Sequence, residues 1–134
     1  MPRILIIDDD ETLLLTLEQL LLSEGHAVST AADGAIAAKL FRAEPFQIVL
    51  TDLVMPNREG LETIIALRRD FPEIGVIAMS GGVDHSKTYL ELAARLGAHQ
   101  TLAKPFKAQQ LIDAVNALCR GSDYADARET APER

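Results

Sequence analysis

Short apolar runs alternate with longer amphipathic stretches along the whole chain. Ile4-Leu5-Ile6-Ile7 is a continuous apolar run that ends in acids, the pattern of a strand buried on both faces. Asp10 follows at a capping position. Leu13, Leu14, Leu17, Leu20, Leu21 and Glu24 then recur at helical spacing, and Gly25 closes that helix. Leu15 and Leu22 widen the stripe, which predicts a helix packed on both the sheet and a neighbouring helix; a dimer surface is the sharper alternative. His26 to Ala31 alternates as a second strand, Asp33-Gly34 opens an Ala-rich helix to about Ala43, and Phe46 to Thr51 is the third strand. Glu59 to Asp70 is a helix that Phe71-Pro72 prevents from continuing. A fourth strand, Ile74 to Met79, ends at Ser80-Gly81-Gly82. Ser86 to Leu96 is helical with Gly97 as terminator, Gln100 to Ala103 is a short fifth strand, and Lys107 to Cys119 is the last helix.

Strands alternating with helices predict an α/β fold: a parallel sheet with helices on both faces and right-handed crossovers. From Gly121 the chain loses apolar periodicity, so the expected organisation is one domain over residues 1–120 and a polar, flexible tail over 121–134. The chain has 134 residues and 48% hydrophobic content, enough for one core and no second domain.

The net charge of −7 argues against direct binding to nucleic acid or an anionic membrane, both of which favour basic surfaces. Four apolar residues before Asp8 are too few for a signal peptide or a membrane span, which leads to the expectation of a soluble cytoplasmic protein. The one cysteine, Cys119, has no intrachain disulfide partner, and its ordinary reading is a partly buried small apolar residue.

The chemistry-bearing residues fall at strand carboxyl ends: Asp8 and Asp9 after the first, Asp52 after the third, Ser80 after the fourth, Lys104 after the fifth. In open α/β sheets ligands bind in that crevice. Each has a bland explanation: aspartates before a helix cap it, Ser-Gly-Gly makes a turn, and Lys-Pro is usually surface. Their coincidence on one edge is the signal. Three carboxylates held together repel one another unless cations intervene. Lys104 supplies one positive charge, and Mg²⁺, which prefers oxygen ligands and keeps sites for water and phosphate, would supply the rest. Such a site suits phosphoryl groups, with a carboxylate as nucleophile.

The chain resembles the receiver domains of two-component response regulators over about Arg3 to Cys119. The resemblance is carried by Ile4-Leu5-Ile6-Ile7-Asp8-Asp9-Asp10, by Ile48-Val49-Leu50-Thr51-Asp52-Leu53-Val54-Met55-Pro56 with Gly60, by Ile77-Ala78-Met79-Ser80-Gly81, and by Gly97-Ala98 leading to Lys104-Pro105-Phe106. It implies a flavodoxin-like (βα)₅ fold with strand order 2-1-3-4-5. It implies that Asp52 accepts a phosphoryl group from a phosphohistidine. Asp9 and Asp52 would then ligate Mg²⁺ (or Mn²⁺ as substitute), with the Val54 backbone carbonyl and, through water, Asp8. Lys104 would pair with phosphoryl oxygens and Ser80 would be the switch hydroxyl, with Lys104-Pro105 as a cis bond. The implied partners are a sensor histidine kinase or histidine phosphotransfer protein and a downstream protein target reached in trans. The expected molecule is a monomer or weak homodimer that assists its own phosphorylation and dephosphorylation without being a turnover enzyme.

Departures from the family pattern bear on output rather than chemistry. Thr101 stands where receivers commonly carry an aromatic that moves with the switch hydroxyl, Asn57 and Arg58 replace a frequent Gly and apolar residue, and Gly81-Gly82 suggest a mobile loop. Asp8-x-Asp10-x-Thr12-Leu13 also resembles the first motif of haloacid-dehalogenase-type phosphatases, with Asp8 as nucleophile and Asp10 as general acid. That alternative lacks the later acidic metal motif and gives Asp52 no role.

Overall fold

The computed structural model describes the backbone of residues 2–53, 59–81 and 86–130, and side chains of 2–53, 62–81 and 90–119. Five strands and five helices alternate: β1 (Arg3–Ile7), α1 (Glu11–Ser23), β2 (Ala27–Ala31), α2 (Gly34–Ala43), β3 (Ile48–Asp52), α3 (Glu59–Asp70), β4 (Gly75–Gly81), α4 (Ser86–Leu96), β5 (Gln100–Lys104) and α5 (Ala108–Thr130). The strands form one parallel sheet in the order β2-β1-β3-β4-β5, the expected flavodoxin-like arrangement.

The elements start and stop for local reasons. Asp10 and Asp33 have extended backbones at the N-caps of α1 and α2, and their carboxylates accept the Leu13 and Ile36 N–H groups at 3.1 and 2.9 Å. Gly25 and Gly97 have φ of 93° and 122°, the left-handed turn that unwinds a helix end. At each, the glycine N–H and the next N–H return to carbonyls of the last turn: Gly25 to Leu22 and His26 to Leu21, Gly97 to Ala94 and Ala98 to Ala93.

The central strands are buried on both faces, and successive side chains supply two cores. Leu5, Ile7, Val49, Val76 and Ala78 pack towards α2, α3 and α4 with Ile64, Leu67 and Ala93. Ile4, Ile6, Leu50, Ile77 and Met79 pack towards α1 and α5 with Leu21, Leu111 and Val115. Phe41 stacks on Phe71 at 5.3 Å and meets Phe46 edge-on at 5.4 Å, tying α2 to α3.

Three expectations are corrected. Leu15 and Leu22 do not pack on a neighbouring helix; they are 57% and 45% exposed, because their positions lie one step round α1 from the buried Leu14 and Leu21. β3 and β4 extend further than the apolar runs suggest, so Asp52, Ser80 and Gly81 are strand residues. α5 continues to Thr130 rather than stopping at Cys119. Gly121 lowers helix propensity by only about 1 kcal/mol, and the following Ala, Arg and Glu residues favour helix up to Pro132. Gly82 of the expected mobile loop, and Asn57 and Arg58, lie outside the described residues.

Candidate functional site: an acidic cluster at the carboxyl edge of the sheet

Parallel register brings the site together. β1 and β3 lie side by side with Ile7 opposite Thr51, so Asp8 and Asp52, one residue further on, share the same edge. Asp52 is opposite Met79 on β4, and Ser80 and Gly81 are opposite Ala103 and Lys104 on β5. Asp8, Asp9 and Asp52 each present a carboxylate oxygen within 4.8 Å of the others, with Asp8 and Asp52 buried and Asp9 exposed.

Lys104 closes the cluster. Its ammonium Nζ is 2.7 Å from Asp8 Oδ2 and 3.4 Å from Asp52 Oδ2. Burial by itself would lower the lysine pKa, but hydrogen bonding to Asp8 and the charges of Asp52 and Asp8 outweigh it and hold Lys104 above its ordinary value. The other oxygen of Asp8 accepts the Asp10 N–H at 2.9 Å. Asp8 is thus held directly by the lysine, a contact absent from the reading of the sequence, which gave Asp8 only a water-mediated role.

Ser80 is fully buried at the end of β4, and its Oγ has no hydrogen-bond partner among the described residues. A buried hydroxyl left unpaired is unfavourable by about 1–3 kcal/mol, and such groups often await a ligand. The Lys104-Pro105 peptide is cis, as expected. Val54 lies outside the described residues. Thr101 is exposed on β5.

The sheet order, the carboxylate cluster and the lysine reaching it are matched by the sequence itself: residues 4–116 fit the response regulator receiver domain family. The chain belongs to that family. Among curated relatives, this receiver is 31% identical over 129 residues to the transcriptional regulatory protein CpxR of Escherichia coli strain K12, covering 96% of the chain and 54% of CpxR. It is 38% identical over 135 residues to the transcriptional regulatory protein PrrA of Mycobacterium leprae, covering 96% of the chain and 55% of PrrA. The receiver therefore spans about half the length of these relatives. Among solved structures, a response regulator receiver domain protein from Clostridium thermocellum superposes with a TM-score of 0.85 at 29% identity, over 93% of this chain and 99% of that one. A CheY-like receiver from Methanospirillum hungatei gives 0.83 at 25% identity, over 93% and 98%. Receivers are signalling domains of two-component systems, and phosphorylation on aspartate is general to them. Among the described residues, no helix is long and apolar enough to cross a membrane.

Proposed function

We propose that this receiver accepts a phosphoryl group on Asp52 from a phosphohistidine of a sensor kinase or histidine phosphotransfer protein. The observation that carries the reading is the cluster of Asp8, Asp9 and Asp52 closed by Lys104. A carboxylate oxygen of Asp52 attacks phosphorus in line with the leaving imidazole; a P–O bond forms, the P–N bond breaks, and the imidazole leaves with the bonding pair. Lys104 offsets charge on the equatorial phosphoryl oxygens. Ser80, whose hydroxyl is buried and unpaired, donates to one of them and shifts the end of β4 as it does so.

The donor set fits a hard divalent cation: three carboxylates against one ammonium leave two negative charges at an all-oxygen site. Asp9 and Asp52 would hold Mg²⁺ directly, with the Val54 carbonyl. Asp8, whose oxygens already engage Lys104 and the Asp10 N–H, would act through water. When bound, Mg²⁺ supplies positive charge to the phosphoryl oxygens. The phosphorylated surface then acts on a downstream protein or passes the group to a phosphotransfer histidine; CpxR and PrrA, described as transcriptional regulatory proteins, favour a regulatory output.

Incubation with acetyl phosphate and Mg²⁺ is expected to add one acid-stable, base-labile phosphoryl group, seen by intact mass. Asp52→Asn should abolish it. Equal modification of that variant would remove Asp52 from the role, and modification lost in Asp8→Asn and Asp10→Asn but kept in Asp52→Asn would favour the phosphatase-like reading instead.

A further inference from the structure

α2 and α3 pack on the same face of the sheet, and what lies between them changes along their length. Where α3 ends, Phe41 of α2 stacks on Phe71 at 5.3 Å and keeps the two helices apart. Nearer the start of α2 the facing residues are small, Ala37 and Ala38 on α2 and Ala66 on α3. The rings set a spacing that alanines cannot fill. A cavity of about 310 Å³ is the result, with Phe41 and Phe71 among its walls.

Arg42 and Asp70 stand at the aromatic end of the cavity. Both Asp70 oxygens are taken by Arg69, at 2.9 and 3.2 Å. The Arg42 guanidinium has no ion-pair partner among the described residues, so the charge left at the cavity is positive, in a chain of net charge −7. Its place in the last turn of α2 suits the helix dipole, a role that uses its charge and none of its donors. Those donors form a planar fork that matches a carboxylate. Volume defines the rest of the ligand. An apolar void of roughly 150 Å³ admits a benzene ring, and twice that takes two fused rings. A protein partner fits less well, because the apolar surface here is a hollow and not a patch. Ile36 and Ile65, the exposed isoleucines of these helices, each precede a lining alanine by one residue and so point about 100° away from the cavity.

We propose that the cavity between α2 and α3 binds a small aromatic carboxylate of one or two rings, the rings lodged beside Phe41 and Phe71 and the carboxylate held by Arg42. The site shares no residue with the acidic cluster, and the proposal does not depend on phosphoryl transfer to Asp52.

The test titrates naphthoate into the full chain while backbone amide chemical shifts are followed. Saturable shifts are expected at Ala37, Ala38 and Ala66, with one naphthoate per chain and a dissociation constant below about 1 mM, as suits a ligand of that size. Naphthalenemethanol, with the same rings and no charge, should bind about tenfold more weakly, and Arg42→Gln should weaken naphthoate by about the same factor without weakening the alcohol. Ala66→Leu fills the cavity and should abolish binding of both. Ala38→Leu fills it from α2 at an exposed position and decides the matter should Ala66→Leu not fold. No saturable shift, equal affinity for the alcohol, unaltered affinity in Arg42→Gln, or binding that survives filling of the cavity overturns the proposal. So do shifts centred on Asp8, Asp52 and Lys104, which would put naphthoate on the lysine of the acidic cluster. Shifts at the cavity that grow with protein concentration alone would give this face to a second copy of the chain and overturn it as well.

Discussion

Asp8 has one oxygen on the Asp10 N–H and the other on the Lys104 ammonium, and its side chain is fully buried. A carboxylate so placed needs both contacts, since a buried charge stripped of its partner destabilises by several kcal/mol, on the order of 3–5. The remote contact spans 96 positions of sequence and exists only because the sheet brings β1 and β5 to one edge. It leaves no local trace in sequence, whereas the acids themselves do. A second remote polar contact works at the opposite end of the sheet. His99 Nδ1 accepts the Val76 N–H at 3.0 Å, so the ring must be neutral with its proton on Nε2, while the His99 backbone N–H donates to the Val76 carbonyl. Burial first, and then the Arg68 charge, lower its pKa below 6.5, and burial likewise lowers that of His26. Between 6.5 and the lowered folded value, the unfolded chain binds protons that the folded chain refuses. Stability therefore holds above pH 6.5 and falls as pH drops through that window. In denaturant titrations across it, His99→Asn, whose amide oxygen still accepts the Val76 N–H, should show a shallower pH slope than the parent, the remainder belonging to His26. Identical slopes would remove His99 from the account.

Helix ends were the most legible elements because their signals are local. Asp10, Asp33, Gly25 and Gly97 each act within a few residues, and each does what its type and position predict. Strand ends were less legible. Asp52, Ser80 and Gly81 are polar or small, and an apolar run cannot contain them, yet neighbouring strands give them ladder partners. α5 was misjudged for a related reason: a lone glycine is a weak stop when good helix formers follow it. The caps make a prediction at this scale. Asp33 is the N-cap of α2, and its carboxylate accepts the Ile36 N–H of the first turn. Asp33→Ala should lower unfolding stability by about 1 kcal/mol. Asp33 caps α2, not a segment of the acidic cluster, so phosphorylation by acetyl phosphate should be unaffected. A denaturation midpoint equal to the parent's would mean that water satisfies the Ile36 N–H as well as the carboxylate does.

Across the whole molecule, alternation of strands and helices established a parallel sheet, but many strand orders satisfy that alternation. The 2-1-3-4-5 order came with the family resemblance, and its β1-β3-β4-β5 succession puts Asp8 and Asp52 on adjacent strands with Lys104 across β4 from them. Among the described residues, the cluster that results sets three carboxylates against one ammonium, within a chain of net charge −7. Like charges gathered in this way oppose folding, and a cation bound only by the folded form relieves the repulsion while adding its own binding energy. Mg²⁺ should thus raise the unfolding midpoint, the gain in unfolding free energy being about 2.7 kcal/mol when its concentration is a hundred times the dissociation constant. The increment should fall sharply in Asp9→Asn and Asp52→Asn, which remove carboxylates from the cluster, and persist in Asp33→Ala, which does not. Asp52→Asn gives a sign that separates site repulsion from general screening: without Mg²⁺ it should be as stable as the parent or more so, having lost one of three mutually repelling charges. A parent that gains nothing from Mg²⁺, or gains equally in all three variants, would leave the carboxylates without a cation to share.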